Sequence, residues 1–250
     1  LQRTGVFKTK AVRKFNKVRW KFLTGDFIRN SPAVADGICY LAGFHGLYAI
    51  DILTGNELWK FDFTGSYQTP PSVNNGIVYY GHLENLYAIN AKTGKEKWSF
   101  MTSSYIASSP TIVDDIVLFG SADKYFYAVD AITGSEIWKF KANGSLETSP
   151  AIINNIVCFV SRGNCAYAFD IKTGNKIWKY STKRIDQLCA PVICNGLLYL
   201  SADKGIIGID VFTGEEKWKL DVTISCSPAV TNKIIYFITG WPDRLVAYDL

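Results

Sequence analysis

The sequence contains little of what common enzyme sites require. It has only two histidines, His45 and His82, and none of its six cysteines forms a Cys-x-x-Cys pair. No Gly-x-Ser-x-Gly segment is present, so the nucleophile turn of an α/β-hydrolase is missing. The two histidines could share a metal ion, but single loop histidines are more often solvated surface residues. These shortages argue against a hydrolase and against a cysteine-based zinc site.

Long apolar runs are also missing. No stretch of about 18 apolar residues occurs, so we expect no membrane-spanning helix. Residues 1–20 are basic and have no apolar centre, which does not fit an intact signal peptide. The cysteines are scattered in apolar runs, which favours reduced core residues and a cytoplasmic location, although Cys189 and Cys194 could pair. An extracytoplasmic location follows instead if an upstream signal has been removed from a chain that starts at Leu1.

Acidic residues are absent from residues 1–21, which hold eight lysines and arginines. The whole chain carries +5, so residues 22–250 carry −3. Such a basic arm could contact nucleic acid or an anionic membrane. No basic stripe continues it elsewhere, so we interpret residues 1–14 as a solvated basic segment and expect no nucleic-acid partner.

A repeat of about 40 residues dominates the rest of the chain. Its segment Ala-x-Asp-x-x-Thr-Gly-x-x-x-Trp begins at Ala49 and recurs four more times with small changes. Glycine permits the left-handed backbone of the turn, and we expect each tryptophan to pack between neighbouring repeats. The repeated glycines are Gly55, Gly94, Gly134, Gly174 and Gly214, and the tryptophans are Trp59, Trp98, Trp138, Trp178 and Trp218.

Each period also contains a second hairpin, in which a proline precedes a short apolar run, an Asx-rich turn and another apolar run. Asp36-Gly37 and Asn75-Gly76 are two of these turns, and such pairs close tight hairpins. Each period therefore predicts four antiparallel strands. Several strands are apolar on both faces, which is typical of four-stranded sheets stacked radially as the blades of a propeller.

The last period stops after the segment Leu245–Leu250, which matches a third strand. The missing fourth strand matches residues 15–22, where Trp20 lies 39 residues before Trp59. We therefore predict an all-β, six-bladed propeller over residues 15–250, closed by the N-terminal strand at residues 15–22. The alternative is a piece of a longer propeller, but the in-register match of residues 15–22 argues against it.

The segment from Ala49 to Trp59 resembles the tryptophan-docking motif of the quinoprotein-like, pyrroloquinoline-quinone (PQQ) type of β-propeller repeat. The resemblance covers nearly all of residues 15–250 and is specific for the repeat rather than for an activity. The superfamily includes PQQ-dependent alcohol and sugar dehydrogenases, a non-catalytic lipoprotein that assists outer-membrane protein assembly, and ligand-sensing regions attached to kinases. The enzymes and the lipoprotein typically have eight blades, whereas this pattern gives six.

We predict a non-catalytic, monomeric scaffold that binds a protein or a small ligand with the loops around its channel. The candidate contact residues are Arg29, His45, Gln68, His82, Glu147, Arg162, Gln187 and Trp241. The alternatives are a ligand-sensing domain of a larger protein and a PQQ-dependent dehydrogenase. For the dehydrogenase the resemblance implies a calcium site, a base among Asp186, Asp203 and Glu147, and often a vicinal disulfide. No adjacent cysteines and no Cys-x-x-Cys-His haem site exist, so no cofactor is predicted.

Overall fold

The computed structural model describes residues 17–25, 27–63, 65, 68–183, 185, 189–202, 205–222, 224, 226–239 and 244–249. These residues form 23 β-strands, which confirms the predicted all-β class. Over the described ranges there is no helix that is long and apolar enough to cross a membrane.

The strands form six sheets, and every hydrogen-bonded pair is antiparallel and sequential. Blades 1 and 2 contain β1 (Ala33–Ala35), β2 (Ile38–Gly43), β3 (Gly46–Asp51), β4 (Glu57–Asp62), β5 (Ser72–Asn74), β6 (Ile77–His82), β7 (Asn85–Asn90) and β8 (Glu96–Met101). Blades 3 and 4 contain β9 (Thr111–Val113), β10 (Ile116–Gly120), β11 (Tyr125–Asp130), β12 (Glu136–Lys141), β13 (Ala151–Ile153), β14 (Ile156–Ser161), β15 (Cys165–Asp170) and β16 (Lys176–Ser181). Blade 5 contains β17 (Val192–Cys194), β18 (Leu197–Ala202), β19 (Gly205–Asp210) and β20 (Glu216–Asp221), and blade 6 contains β21 (Ala229–Val230), β22 (Ile234–Thr239) and β23 (Arg244–Asp249).

The first hairpin of each blade is closed by the Asx turn that the sequence predicts. In blade 2, Asn75 has φ of +47° and Gly76 has φ of +71°, so both central residues of the turn are left-handed. This backbone matches the right-handed twist of the flanking strands, and Asn-Gly adopts it readily. The turn sets the register that pairs Asn74 with Ile77.

The outermost strand of each four-stranded blade carries one extra residue. In blade 1 Ala49 pairs with Trp59, but the adjacent Ile50 pairs with Glu57, so Leu58 is bulged out of the ladder. The same register shift recurs in blades 2 to 5. A bulge bends the strand and re-aims its side chains.

The hydrophobic core lies between blades rather than inside one sandwich. Five buried clusters each join two neighbouring blades, from blades 1 and 2 to blades 5 and 6. In the first cluster, Tyr40 and Trp59 of blade 1 pack with Val78 and Tyr80 of blade 2. Because both faces of a middle blade are covered in this way, its central strands are apolar throughout.

The alternation of strand direction gives the propeller two different ends. We call the end with the Asx turns and the Thr-Gly turns the turn end, and these turns touch where Ala91 N–H donates to Gly76 O at 2.9 Å. The opposite end, the loop end, carries the described loops after β2, β6, β10 and β14 and the described parts of the connections between blades. A bridge between Gln68 and His82 joins a connection to a loop there.

Blade 6 has three strands in the described part of the chain, and its outer strand β23 is largely exposed. Leu245 and Tyr248 on β23 are 74% and 45% exposed. Residues 17–22, where the sequence predicts a fourth strand for this blade, have no strand assignment, and no pairing of them with β23 is seen among the described residues.

Candidate functional site

The turn end is built from one local arrangement that repeats from blade to blade. In blade 3, Asp130 Oδ1 accepts hydrogen bonds from Thr133 N–H at 2.7 Å, from the Thr133 hydroxyl at 2.9 Å and from Ile132 N–H at 3.0 Å. The bond from the Thr133 N–H lowers the pKa of the Asp130 carboxyl, because it stabilises the ionised form. Asp51, Asp170 and Asp210 occupy the same position in blades 1, 4 and 5, and Asn90 does so in blade 2.

The tryptophans lie between neighbouring blades at this end. Trp98 Nε1 donates to Ala131 O at 3.1 Å, and a Cβ placed on Gly134 would lie 2.7 Å from the Trp98 ring. The residue at the turn must therefore be glycine for the ring to approach. The equivalent donations run from Trp20 to Ile52 O at 2.9 Å, Trp59 to Ala91 O at 3.0 Å, Trp138 to Ile171 O at 2.7 Å and Trp178 to Val211 O at 2.6 Å.

The contact made by Trp20 shows where the N-terminal segment lies. Its ring packs over Gly55 of blade 1, and the Phe22 ring meets Tyr48 edge-on at 5.7 Å. In blade 1 the equivalent ring, Phe61, meets Tyr87 of blade 2 at 5.5 Å in a tilted arrangement. Residues 20–22 thus contact blade 1 as an outer strand contacts the next blade. The remaining tryptophan of the repeat, Trp218, has its ring 5.6 Å from that of Tyr199 in its own blade.

The candidate contact residues that are described all lie at the loop end, but they fall into separate places. Arg29 is exposed beside blade 1, and His45 lies in the loop after β2. Gln68 and His82 are joined by their bridge in blade 2, and His82 is buried. Glu147 and Arg162 meet in blade 4, as described below. The remaining candidates, Asp186, Gln187, Asp203 and Trp241, lie outside the described residues.

Glu147 and Arg162 form a close charge contact at the loop end of blade 4. Arg162 Nη2 lies 2.7 Å from Glu147 Oε2, and the Ser145 hydroxyl donates to Glu147 Oε1 at 3.0 Å. A cavity of about 10 Å³ lies beneath this pair and is lined in part by Thr148. The Thr148 hydroxyl is buried and has no hydrogen-bond partner in the part of the chain that the structure describes.

A larger cleft of about 360 Å³ opens at the loop end of blade 1 and is lined by His45, Lys60, Asp62 and Phe63. Lys60 Nζ lies 2.6 Å from Asp62 Oδ1 and 5.4 Å from the centre of the Tyr48 ring. The hydrogen bond to Asp62 raises the pKa of the Lys60 ammonium group.

One face of this cleft is backed by buried rings of blade 2. The Phe63 ring lies 4.2 Å from the His82 ring and 5.1 Å from the Tyr80 ring. Tyr80 is fully buried, and burial raises the pKa of its hydroxyl above the usual range. His45 lines the cleft together with Phe63, while His82 contacts the Phe63 ring, and no group of three His, Cys, Asp or Glu able to hold a metal occurs among the described residues.

Two polar residues organise the loop end, of which Asp123 is expected from its place in a loop between strands and Asn143 was missed by sequence reasoning. Asn143 donates to Gly163 O at 2.7 Å and accepts hydrogen bonds from the Ser161 and Tyr167 hydroxyls, both at 2.8 Å. In blade 3, Asp123 accepts from the Tyr127 hydroxyl at 2.7 Å and thereby contributes to a raised Tyr127 pKa, of which burial is the main cause. Asn143 has no counterpart in the other repeats, so periodicity could not single it out, whereas Asp123 recurs in the sequence as Asp203 within a repeated Ser-Ala-Asp-Lys segment.

Sequence reasoning also missed Phe63, for which a signal existed. It follows the outer strand of its blade, and the equivalent residues Thr102, Ala142, Thr182 and Val222 are all non-aromatic. An alignment of the five copies therefore shows one aromatic residue out of pattern.

The described residues do not fit a PQQ and calcium site. Glu147 is the one described acid among the candidates, and its carboxylate is already bonded by Arg162 and Ser145. A calcium site needs several oxygen ligands around one point, and no such group surrounds Glu147 among the described residues. No disulfide joins Cys189 to Cys194.

Comparison with known proteins supports the repeat type. A family model described as "Outer membrane protein assembly factor BamB" matches two overlapping segments, residues 10–123 and 83–250. The crystal structure of BamB from Moraxella catarrhalis is 17% identical, with a TM-score of 0.77 over 94% of this chain and 80% of that chain. The computationally designed Ika8 protein is 20% identical, with a TM-score of 0.71 over 87% of this chain and 70% of that chain.

Quinohemoprotein alcohol dehydrogenase ADHIIG from Pseudomonas putida HK5 is 22% identical, with a TM-score of 0.66 over 82% of this chain but only 43% of that chain. No curated protein sequence matches the chain. At these identities the solved structures establish the propeller fold, while the family model covers most of the sequence. The chain therefore belongs to the family of PQQ-type β-propeller repeat proteins described as the outer membrane protein assembly factor BamB.

Proposed function

We propose that this protein is a non-catalytic scaffold whose loop end binds a protein partner. The contrast between the two ends carries the proposal. The turn end repeats one set of contacts in blades 1 to 5, whereas the described loop end presents different polar side chains in blades 1, 2 and 4, namely His45, Gln68 and Arg162. Recognition residues concentrate on loops that a rigid scaffold positions.

The nature of the loop end favours a protein over a small molecule. A small-molecule site is usually one enclosed, mainly apolar pocket, whereas the cleft in blade 1 is open and the cavity near Glu147 has a volume of only about 10 Å³. Exposed charged and aromatic side chains such as Arg29, Phe44 and Arg162 are spread around the ring. Such a mixed surface fits a protein interface with a polar rim.

Family membership suggests the process in which the partner takes part. The family model is described as an outer-membrane protein assembly factor, so we infer that the partner is a component of outer-membrane protein assembly. An extracytoplasmic location goes with this role, in place of the cytoplasmic location that the cysteines favour.

Site-specific photo-crosslinking in cells of the source organism tests the proposal. A photoreactive phenylalanine is placed at Arg29 or Arg162 on the loop end, and at Lys92 or Lys172 on the turn end as matched exposed controls. We expect one common protein adduct from the two loop-end positions, identified by mass spectrometry as an outer-membrane assembly component. Adducts from the turn end alone, or equally from both ends, would contradict the proposal.

The dehydrogenase alternative has its own test. A ligand that binds only the folded state raises the melting temperature. We expect PQQ to leave the melting temperature unchanged, with or without calcium. A calcium-dependent rise would favour the dehydrogenase and would direct attention to Asp186, Asp203 and Glu147.

We also infer that residues 15–22 complete blade 6 and close the ring. Trp20 and Phe22 already contact blade 1 as an outer strand does. The register of blade 1, in which Tyr48 pairs with Lys60, places Val246 opposite Lys21. Oxidation of the pair Lys21→Cys and Val246→Cys should give a disulfide, whereas Lys21→Cys with Arg244→Cys should not. Equal crosslinking of both pairs would contradict this register.

A further inference from the structure

We propose that the cleft at the loop end of blade 1 binds an uncharged aromatic side chain of the protein partner. This inference rests on the proposed scaffold function and names the place where the partner is anchored. The cleft is lined by His45, Lys60, Asp62 and Phe63, and its volume of about 360 Å³ is sufficient for one large side chain.

The Phe63 ring gives the cleft a rigid aromatic surface. His82 and Tyr80 support it from the blade 2 side, at ring distances of 4.2 Å and 5.1 Å. Tyr80 and His82 are both buried, so this support is held in place by the core between blades 1 and 2. A preorganised ring loses little freedom when a second ring stacks on it, and paired aromatic rings gain energy beyond the apolar area that they bury.

The charges around the cleft favour an uncharged guest. Lys60 and Asp62 are in direct contact at 2.6 Å, so their charges offset one another. The Lys60 ammonium group lies over the Tyr48 ring, so this face of the ring is already covered. Each charge of the pair of Lys60 and Asp62 is already neutralised by the other, so a guanidinium or carboxylate guest gains little net attraction without breaking the pair, whereas a neutral ring needs no charged partner.

Blade 5 provides an internal comparison for this cleft. Lys219 and Asp221 repeat the Lys60 and Asp62 pair at 3.7 Å, and Gly205 repeats Gly46. The residue that follows is Val222 instead of Phe63. The aromatic residue therefore distinguishes blade 1 from blade 5, whereas the ion pair is common to both.

The two histidines make a direct binding measurement possible. His45 borders the cleft and His82 lies behind Phe63, so the imidazole signals of ¹³C-histidine-labelled protein report on both sides of the ring. The probe is N-acetyl-tryptophanamide, and N-acetyl-leucinamide and N-acetyl-argininamide serve as aliphatic and cationic comparators. We expect a saturable shift of the His45 signal with the tryptophan probe and a clearly weaker response to the other two.

Phe63→Val gives the cleft the residue of blade 5 and should weaken binding of the tryptophan probe by about threefold to tenfold. Val222→Ala is the matched control and should leave the affinity unchanged. Phe63 is partly buried, so a second variant, His45→Ala, changes an exposed residue of the cleft instead. Its titration is followed through the His82 signal, and it should also weaken binding of the tryptophan probe. The inference is overturned if no probe saturates, if the arginine probe binds more tightly, or if Phe63→Val binds the tryptophan probe like the wild type.

The photo-crosslinking experiment separates this inference from the proposed function. If Phe63→Val retains the full yield of the loop-end adduct, the cleft is not the anchor of the partner, although the scaffold function stands. If the wild type gives no loop-end adduct, the scaffold function fails, and with it the assignment of the cleft to that partner.

Discussion

The turn end and the loop end of the propeller satisfy their backbone groups in different ways. At the turn end, five blades use the same acceptor side chain at Asp51, Asn90 and their equivalents, together with the same glycine at the turn. At the loop end, Thr69 in blade 2 and Ser108 in blade 3 accept hydrogen bonds from equivalent glycine N–H groups, but blade 3 also uses Asp123 and blade 4 uses Asn143. The difference shows that packing between blades constrains one end in every repeat and leaves the other free to diversify.

The largest expected effect comes from breaking the turn end at Gly134. Gly134→Ala should lower the free energy of unfolding by about 2–4 kcal/mol, because the new methyl group meets Trp98 and the backbone is left-handed. Gly76→Ala is the control, since its φ is also positive at +71° but nothing lies within 4 Å of the added Cβ. Urea denaturation measures both variants, and equal losses would show that the tryptophan contact is unimportant.

A second prediction compares two tryptophans of the turn end. Ala131 O accepts from both Trp98 and the Tyr79 hydroxyl, whereas Val211 O accepts from Trp178 and has no tyrosine donor in the described structure. Trp178→Phe should therefore lower the free energy of unfolding by about 1–2 kcal/mol more than Trp98→Phe, because it leaves a buried carbonyl without a donor. Denaturant titrations of the two variants decide this, and a larger loss for Trp98→Phe would refute the explanation.

A third prediction tests the variability of the loop end. Gly120 N–H donates to the buried Ser108 hydroxyl at 2.6 Å, so Ser108→Ala should cost about 1–2 kcal/mol. Thr148 lies at the same distance before its proline, but its hydroxyl has no partner among the described residues. Thr148→Val should therefore change stability by less than about 0.5 kcal/mol or increase it. Chemical denaturation measures both variants. Equal losses in the free energy of unfolding would contradict the different roles of the Ser108 and Thr148 hydroxyls.

The smallest expected effect concerns pH at the turn end. The folded-state pKa of Asp130 lies below its usual value of 3.8, so its contribution to stability is present at neutral pH and is lost as the pH falls through the folded pKa. The relevant range, roughly pH 5 to pH 3, surrounds the usual carboxyl pKa. Over this range the Asp130→Asn variant should lose less free energy of unfolding than the wild type. Asn90→Asp should show the reverse change, and thermal melts across this pH range measure both variants.

The turn end was predictable because its chemistry is local in sequence. Asp130, Thr133 and Gly134 lie within five residues, and the same spacing recurs five times, so the pattern indicates both the turn and the packing of the tryptophan. For the loop end, only the position of the candidate contact residues in the fold was predictable from the sequence, and their contacts were not. Asn143 contacts Gly163 about 20 residues away, and Phe63 meets His82 of the next blade. Such contacts depend on the path of one particular loop, which a repeat does not specify.

The tryptophan donations all run in one direction, from each blade to the blade that follows it. The propeller is therefore coupled through nearest neighbours, and the stability of each blade depends on the two blades beside it. In native-state hydrogen exchange, β10 and β14 in the middle should be protected to the level of global unfolding, while β22 and β23 should open through smaller fluctuations. Fraying that begins at blade 6 would reach blade 1 through residues 20–22, while the rings of blade 2 that support the cleft lie one blade further away.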